Sequence, residues 1–330
     1  MTNEILVVKK LNTFYPLEFE KDPKKLLDNI NLLVQQNDVL GLVGETGAGK
    51  SILIDSIGRN LEPPLWSDAE TLSIHLDSKS ENLLEKGADE LRNIWGNGIA
   101  FIPPNARERL NPIMNVGQQV SNIIQSNSNL SRKESDKKVV EIFEMVKMPD
   151  PENNFFSFPH ELSGGMAQRV IISVALSMSP KLLLADEPTM GLDVTIQAQV
   201  LDLMAELLKE KFEAAAILAT RDLGIVANFC NKVAVMCNGQ LVELSGVLEF
   251  FEKPIHPYSE YLLNAAFATH TKEGRIQLGT AKTKVEIESS TKAGCRFASR
   301  CPLVEKNCWS IDPPEKLIGT DHYIRCHVLG

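Results

Sequence analysis

Eight residues limit the fold more than any other part of the chain: Gly44-Glu45-Thr46-Gly47-Ala48-Gly49-Lys50-Ser51. They follow an aliphatic run, Val39–Val43, and precede a helical pattern over Ser51–Arg59. Strand, glycine-rich loop and helix, in that order, open an α/β domain. The spacing G-x-x-x-x-G-K-S has a physical reason. Glycines let backbone N–H groups curl around a β-phosphate, and Lys50 supplies a cation for the β- and γ-phosphates. The Ser51 hydroxyl can ligate Mg²⁺, and the helix starting there turns its positive end toward the anion. The segment reads as a site for a nucleoside triphosphate with its Mg²⁺.

A second apolar run, Leu182–Ala185, stops at Asp186-Glu187. Beside a phosphate loop, Asp186 would hold Mg²⁺ through water and Glu187 would polarise the attacking water as general base. Leu162-Ser163-Gly164-Gly165-Met166-Ala167-Gln168 comes before a long helical pattern. Ser163 can cap that helix while Gly164 and Gly165 permit close approach to a phosphate. Ile99–Ile102 and Ala214–Ala219 are further strand candidates, and residues 105–160 read as helical with polar interruptions. Thr195–Lys211 carries Ile196, Val200, Met204, Leu207 and Leu208 on one helical face. Val233–Met236 and Gln240–Leu244 flank Asn238-Gly239, a two-residue hairpin signal. Beyond residue 250 the character changes: a short helix is expected at Tyr258–Ala266, a Thr-, Lys-, Glu- and Ser-rich linker at 271–293, and the last 36 residues hold four of the six cysteines.

With 43% hydrophobic residues over 330 positions the chain can bury a sizeable core, as one large domain or two modest ones. Its net charge of −9 argues against broad electrostatic binding to nucleic acid or anionic lipid. No run of about 18 apolar residues is present, so no transmembrane helix is expected. The first residues lack a charged-then-apolar leader pattern, so the chain is expected in the cytosol, with its cysteines expected as thiols or metal ligands rather than disulfides.

GETGAGKS, LSGGMAQ, LLLADEP and the GLD of Gly191–Asp193, in that order over about residues 5–250, resemble the nucleotide-binding domain of an ABC ATPase. The resemblance implies an α/β, ABC-type P-loop nucleotide-binding domain (1–250) with an inserted helical subdomain (about 105–175). It implies that two such domains sandwich ATP head to tail, so that Ser163, Gly164 and Gly165 serve a nucleotide bound on the partner and Asp193 lies between the two sites. Tyr15, in the strand before the phosphate loop, is the expected platform for adenine, with Phe14 one residue away.

His256-Pro257-Tyr258 and the tail GCRFASRCP…C…C resemble the oligopeptide/dipeptide importer branch of that family. A small cysteine-containing domain is therefore expected at 251–330. Cys295, Cys301, Cys308 and Cys326 are separated by five, six and seventeen residues. Four thiolates can hold a [4Fe–4S] cluster, as in some members of the branch, or zinc; reduced structural thiols are the other reading. Cys230 and Cys237 are expected to be plain buried residues, and His322 and His327 surface histidines. The resemblance further implies two transmembrane permease subunits, a sister ABC ATPase subunit and an extracytoplasmic substrate-binding protein as partners, with no nucleic acid. It implies a peripheral location at the cytoplasmic face of the cell membrane.

Two positions depart from the family pattern. Where it has a glutamine reaching Mg²⁺, this chain has Pro104, with Asn105 one residue on. Where it has a histidine contacting the γ-phosphate, this chain has Arg221. Arginine is longer and always charged; it could clamp the γ-phosphate or pair with Glu187 and blunt it as a base. The expectation is an ATPase subunit that binds MgATP yet hydrolyses it slowly in its own site. A soluble ABC ATPase acting on an enzyme complex, and a redox-sensing regulatory ATP-binding subunit, are the alternatives.

Overall fold

The computed structural model describes residues 3–18, 22–76, 79–267, 293–319 and 321–329. The linker expected at 271–293 lies, apart from its last position, outside the described residues. β1 (Glu4–Tyr15) and β2 (Lys24–Gln35) form a long antiparallel pair. β3 (Val39–Val43) runs through the glycine-rich loop into α1 (Lys50–Ile57). β4 (Trp66–Asp68), β5 (Thr71–Leu76) and β6 (Lys79–Asn82) return toward β1, and α2 (Ala88–Ile94) leads to β7 (Ile99–Ile102). Then come α3 (Ala106–Arg109), α4 (Val116–Ser126), α5 (Arg132–Met145), α6 (Pro151–Asn154) and α7 (Gly164–Leu176). β8 (Leu182–Asp186), α8 (Val194–Glu206), β9 (Ala215–Ala219) and α9 (Leu223–Phe229) alternate. β10 (Lys232–Cys237) and β11 (Gln240–Gly246) make the expected hairpin. α10 (Val247–Glu252), α11 (Pro257–Ala266), β12 (Glu315–Ile318) and β13 (His322–Arg325) complete the chain.

Two sheets result. One has the order β2-β1-β5-β6 with β4 also paired to β1; the other runs β12-β13-β11-β10-β3-β9-β8-β7. In the second sheet, β10, β3, β9, β8 and β7 are mutually parallel. Parallel strands covered on both faces read as unbroken apolar runs, and that is the case here. Leu182 and Leu184 of β8 enter the core shared with β1, β2 and α1, whereas Leu183 and Ala185 enter the core shared with α4, α5, α7 and α8. The carboxyl ends of β3, β8 and β9 carry the glycine-rich loop, Asp186-Glu187 and Thr220-Arg221, so the sheet brings distant motifs to one edge.

Four features differ from the sequence reading. β2 was not anticipated, because its buried positions change parity between Leu27 and Ile30, at a left-handed Asn29 with φ 51°. The helix expected to Lys211 is regular only to Glu206 and continues as a π-helical turn over Leu207–Phe212. The tail is not free-standing: β13 pairs with β11, matching Glu243 with Ile324 and Leu244 with Tyr323, and thereby extends the main sheet. His322 is buried rather than on the surface, because its Nε2 lies 2.7 Å from Oε1 of the buried Glu243.

Candidate active site

The glycine-rich loop must bend where no side chain fits. A Cβ on Gly44 would lie 2.2 Å from the Met236 carbonyl oxygen. Gly49 precedes α1 with φ 104°, a left-handed conformation open to glycine at little cost. Lys50 is buried, and its Nζ donates to the carbonyls of Gly44 (2.8 Å) and Glu45 (3.2 Å). An ammonium has three protons, so a third stays available to a phosphate. Burial lowers the Lys50 pKa, opposed by the carboxylates of Glu187 and Asp186. Those two acids are therefore close enough to favour the lysine's charge, which brings the separate motifs into one site. Asp55, one turn into α1, is pushed up to about 6 by burial and by Asp186. Ser51 and Thr46 are exposed at the loop.

Asp186 ends β8 and Glu187 follows with φ 44°, its N–H donating to the Ala219 carbonyl at 2.9 Å. That bond ties the backbone at Glu187 to the end of β9. Its Oε1 accepts from Arg221 Nε at 3.0 Å, and Arg221 Nη1 donates to Thr46 Oγ1 at 3.4 Å. Arg221 thus spans from the acidic pair to the phosphate loop. An open depression of about 360 Å³ is lined here by Glu187, Gly191, Gln197, Thr220, Arg221 and others. Of the two ways of using Arg221 that the sequence allowed, this structure has the pairing with Glu187.

Pro104 lies in the loop after β7. Asn105 starts α3 in a left-handed conformation, and its Nδ2 reaches Glu108 Oε2 at 3.3 Å. In this structure Asn105 is engaged on its own helix. Arg107, which the sequence did not single out, donates to the carbonyl of Leu162, tying the loop after β7 to the LSGG segment. Nothing in the local pattern marks that partner.

Ser163 caps α7, its Oγ accepting from Met166 N–H, and Ser163 and Gly164 are exposed on the surface. Gly165 has a packing reason as well: a Cβ there would lie 2.6 Å from Ile196 Cγ2 on α8. Asp193 caps α8 through Thr195 and Ile196 N–H and remains exposed. Tyr15, at the end of β1, is 43% exposed, whereas Phe14 stacks on Trp66. The exposed ring is the one free to receive a flat ligand.

In the tail, Cys308 and Cys326 are buried, Cys295 and Cys301 half-buried, and Cys295 N–H donates to the Cys308 carbonyl. Burial pushes Cys295 up to about 11, helped by the neighbouring thiols of Cys301, Cys308 and Cys326. The four share one small module. As placed, however, no group of three or more His, Cys, Asp or Glu among the described residues could hold a metal ion, so the ligand set expected for a cluster or zinc is not formed. Cys230 and Cys237 are buried as expected. His327 is half-exposed, its Nε2 2.8 Å from the Ile311 carbonyl. Among the described residues, no helix is long and apolar enough to cross a membrane.

The fold and this edge of the sheet are those of an ABC-type nucleotide-binding domain. A dimeric MJ0796 in a post-hydrolysis state bound to ADP and Pi superposes with a TM-score of 0.63 at 22% identity, over 74% of this chain and 99% of that one. CbiO1 from Clostridium perfringens, part of the complex cbiONQ, gives 0.61 at 29% identity, over 76% and 92%. The ABC transporter family model matches residues 27–190, and the model of the oligopeptide/dipeptide transporter C-terminal region matches 242–308. A probable peptide ABC transporter ATP-binding protein of Sinorhizobium fredii is 38% identical over 98% of this chain and 94% of its own. The oligopeptide transport ATP-binding protein AppD of Bacillus subtilis is 36% identical over 98% and 96%. The chain belongs to the ABC transporter ATP-binding proteins of the oligopeptide/dipeptide type. It is an ATPase subunit of an ABC importer.

Proposed function

We propose that this subunit binds MgATP between its own phosphate loop and the LSGG segment of a second nucleotide-binding subunit, drives peptide import, and hydrolyses slowly in its own site. The observation that carries the last part is the Arg221–Glu187 ion pair at 3.0 Å. A general base must accept a proton from water. A Glu187 whose Oε1 already accepts a hydrogen bond from a guanidinium is less free to do so. Loss of the glutamine at Pro104 acts in the same direction.

The proposed roles rest on the motifs and are supported by their meeting at one edge of the sheet. Gly44 to Gly49, with Glu45, Thr46, Gly47 and Ala48 between them, wrap the phosphates. Lys50 holds the β- and γ-phosphates, Ser51 and Asp186 hold Mg²⁺, and Tyr15 stacks on adenine. Mg²⁺ supplies charge neutralisation on the phosphates. Glu187 is the base, and Arg221 sits at the γ-phosphate end. Ser163, Gly164 and Gly165, presented at an exposed helix start, serve the partner's nucleotide, and Asp193 lies in the subunit contact. Closure of the pair on ATP and reopening after hydrolysis would move two permease subunits, fed by an extracytoplasmic substrate-binding protein. The sister ATPase subunit supplies the more active site. This places the chain peripherally on the cytoplasmic face of the membrane. Peptide as cargo is supported by relatives named for oligopeptide and dipeptide transport. The soluble-enzyme and redox-regulatory alternatives have no such support.

The domain division proposed is 1–250 with helices at about 105–175, then a tail from 251. Cys295, Cys301, Cys308 and Cys326 are the proposed ligands of a [4Fe–4S] cluster, on the resemblance of the tail to members of the branch that hold one; the thiols neighbour one another, but as they stand they do not close a ligand set. No step of the cycle is assigned to it. Iron and labile sulfide in cluster stoichiometry after anaerobic purification would support it, and their absence would overturn it.

The test of the weakened site is the ATPase rate of the purified chain, wild type and Arg221→His. The variant is expected to hydrolyse at least about tenfold faster, since a positioned base contributes about 10²–10⁴-fold. Rapid turnover by the wild-type chain alone would remove the proposal.

A further inference from the structure

Glu45 is an acid placed within a loop that receives a polyanion, and left unpaired it would repel the phosphates. It is not unpaired. Arg300, in the short stretch between Cys295 and Cys301, donates from Nη1 and Nη2 to both Glu45 carboxylate oxygens at 2.9 and 2.8 Å. A planar, two-point guanidinium–carboxylate pair fixes direction as well as charge. The guanidinium is held in turn by three rings, its carbon 5.1 Å from the Phe297 centroid, 5.2 Å from Tyr261 and 5.8 Å from Tyr258. Tyr258 also acts on the loop directly: its hydroxyl accepts the Glu45 backbone N–H at 3.0 Å. Tyr258 is fully buried, and His256 orients its helix by accepting the Tyr258 N–H at 3.0 Å. The same module is anchored beside the loop by Arg296, 2.6 Å from Asp28. Arg300 holds the Glu45 carboxyl below its ordinary value, against the opposing effect of burial.

We propose that Arg300 is a positioning residue for nucleotide binding: the tail reaches 255 residues back along the chain to neutralise Glu45 and to fix the first turn of the phosphate loop. This rests on the reading that a triphosphate occupies that loop. The pair is half-exposed, so water moderates it, but the carboxylate it neutralises belongs to a residue of the phosphate loop itself.

The test measures MgATP affinity calorimetrically on the full chain, and KM and kcat in the assembled transporter. Arg300→Met keeps an unbranched stem against the rings and removes the charge. It is expected to raise Kd and KM by about five- to tenfold, the scale of one partly screened charge contact, with kcat changed less than about twofold. Arg300→Lys keeps the charge without the two-point geometry and is expected to fall between wild type and Arg300→Met. In the double variant R300M/E45Q no carboxylate needs neutralising, and affinity is expected to recover from the Arg300→Met value toward that of wild type. A merely structural arginine would show no such recovery. Wild-type affinity in Arg300→Met, or a double variant as weak as the single one, overturns the proposal. If Arg300→Met fails to fold, Arg300→Lys decides: weaker MgATP binding at unchanged melting temperature supports the clamp, and unchanged binding overturns it. Lys50→Ala separates the two readings. If it abolishes binding while the Arg300 variants bind normally, the clamp alone fails; if wild type does not bind MgATP, the nucleotide reading fails with it.

Discussion

At the scale of single residues, charge placement outweighs charge count. His256 is buried, and burial lowers it to about 4 although Glu243 beside it favours the charged form. An unfolded histidine takes its proton near 6.5. The contribution of this group to stability is therefore complete above about pH 6.5 and declines as pH falls toward 4. Asn at 256 can still cap α11 but does not titrate. Between pH 7 and 4 the wild type is expected to lose about 2–4 kcal/mol more than His256→Asn, measured by denaturant melts at each pH. Equal losses would show that His256 does not carry the effect. The pairing of Arg221 with Glu187 was one of two uses the sequence allowed that arginine, because two motifs fixed both positions. The pairing of Arg300 with Glu45 was not, because nothing near either residue names the other.

At the scale of elements, local pattern was readable wherever it stayed in phase. β8 and β9 stood out as apolar runs and the phosphate loop as a motif. β1 shows itself only in its aliphatic start, Ile5–Val8, and β2 hides its pattern: buried residues run Leu6, Val8, then Leu11, Thr13 on one strand and Leu27, then Ile30, Leu32 on the other. The changes of parity fall at left-handed Lys10 and Asn29, where the strand register shifts, so alternation fails in a short window. Contact between helices is invisible in the same way, and Gly165 illustrates it. Ala at 165 gains helix propensity of about 1 kcal/mol but drives its Cβ against Ile196. Gly165→Ala is expected to destabilise by about 1–2 kcal/mol in thermal melts. In an Ile196→Ala background the same change should be neutral or stabilising. If it costs as much there, the α7–α8 contact is not the reason for glycine.

At the scale of the whole molecule, the main sheet continues into the tail. β13 covers the outer edge of β11, and Glu243 joins the tail to His256 and Ile255 by accepting their N–H groups while facing His322. A chain ended after Ala266 would leave that edge open and the Glu243 carboxylate short of its histidine. Exposed strand edges recruit other chains. Light scattering on warming is expected to show aggregation at lower temperature for the truncated chain, and indistinguishable curves would make the tail dispensable for the sheet. The same contacts set a rule for engineering. Arg296 meets Asp28, Arg325 Nη2 donates to the Asn29 carbonyl, and Asn31 Nδ2 reaches Glu315, so one strand near the amino terminus receives the tail at three points. Grafting this C-terminal segment onto a sibling subunit is thus no modular swap: the recipient must bring its own matching β2, or the transplant will have nowhere to land.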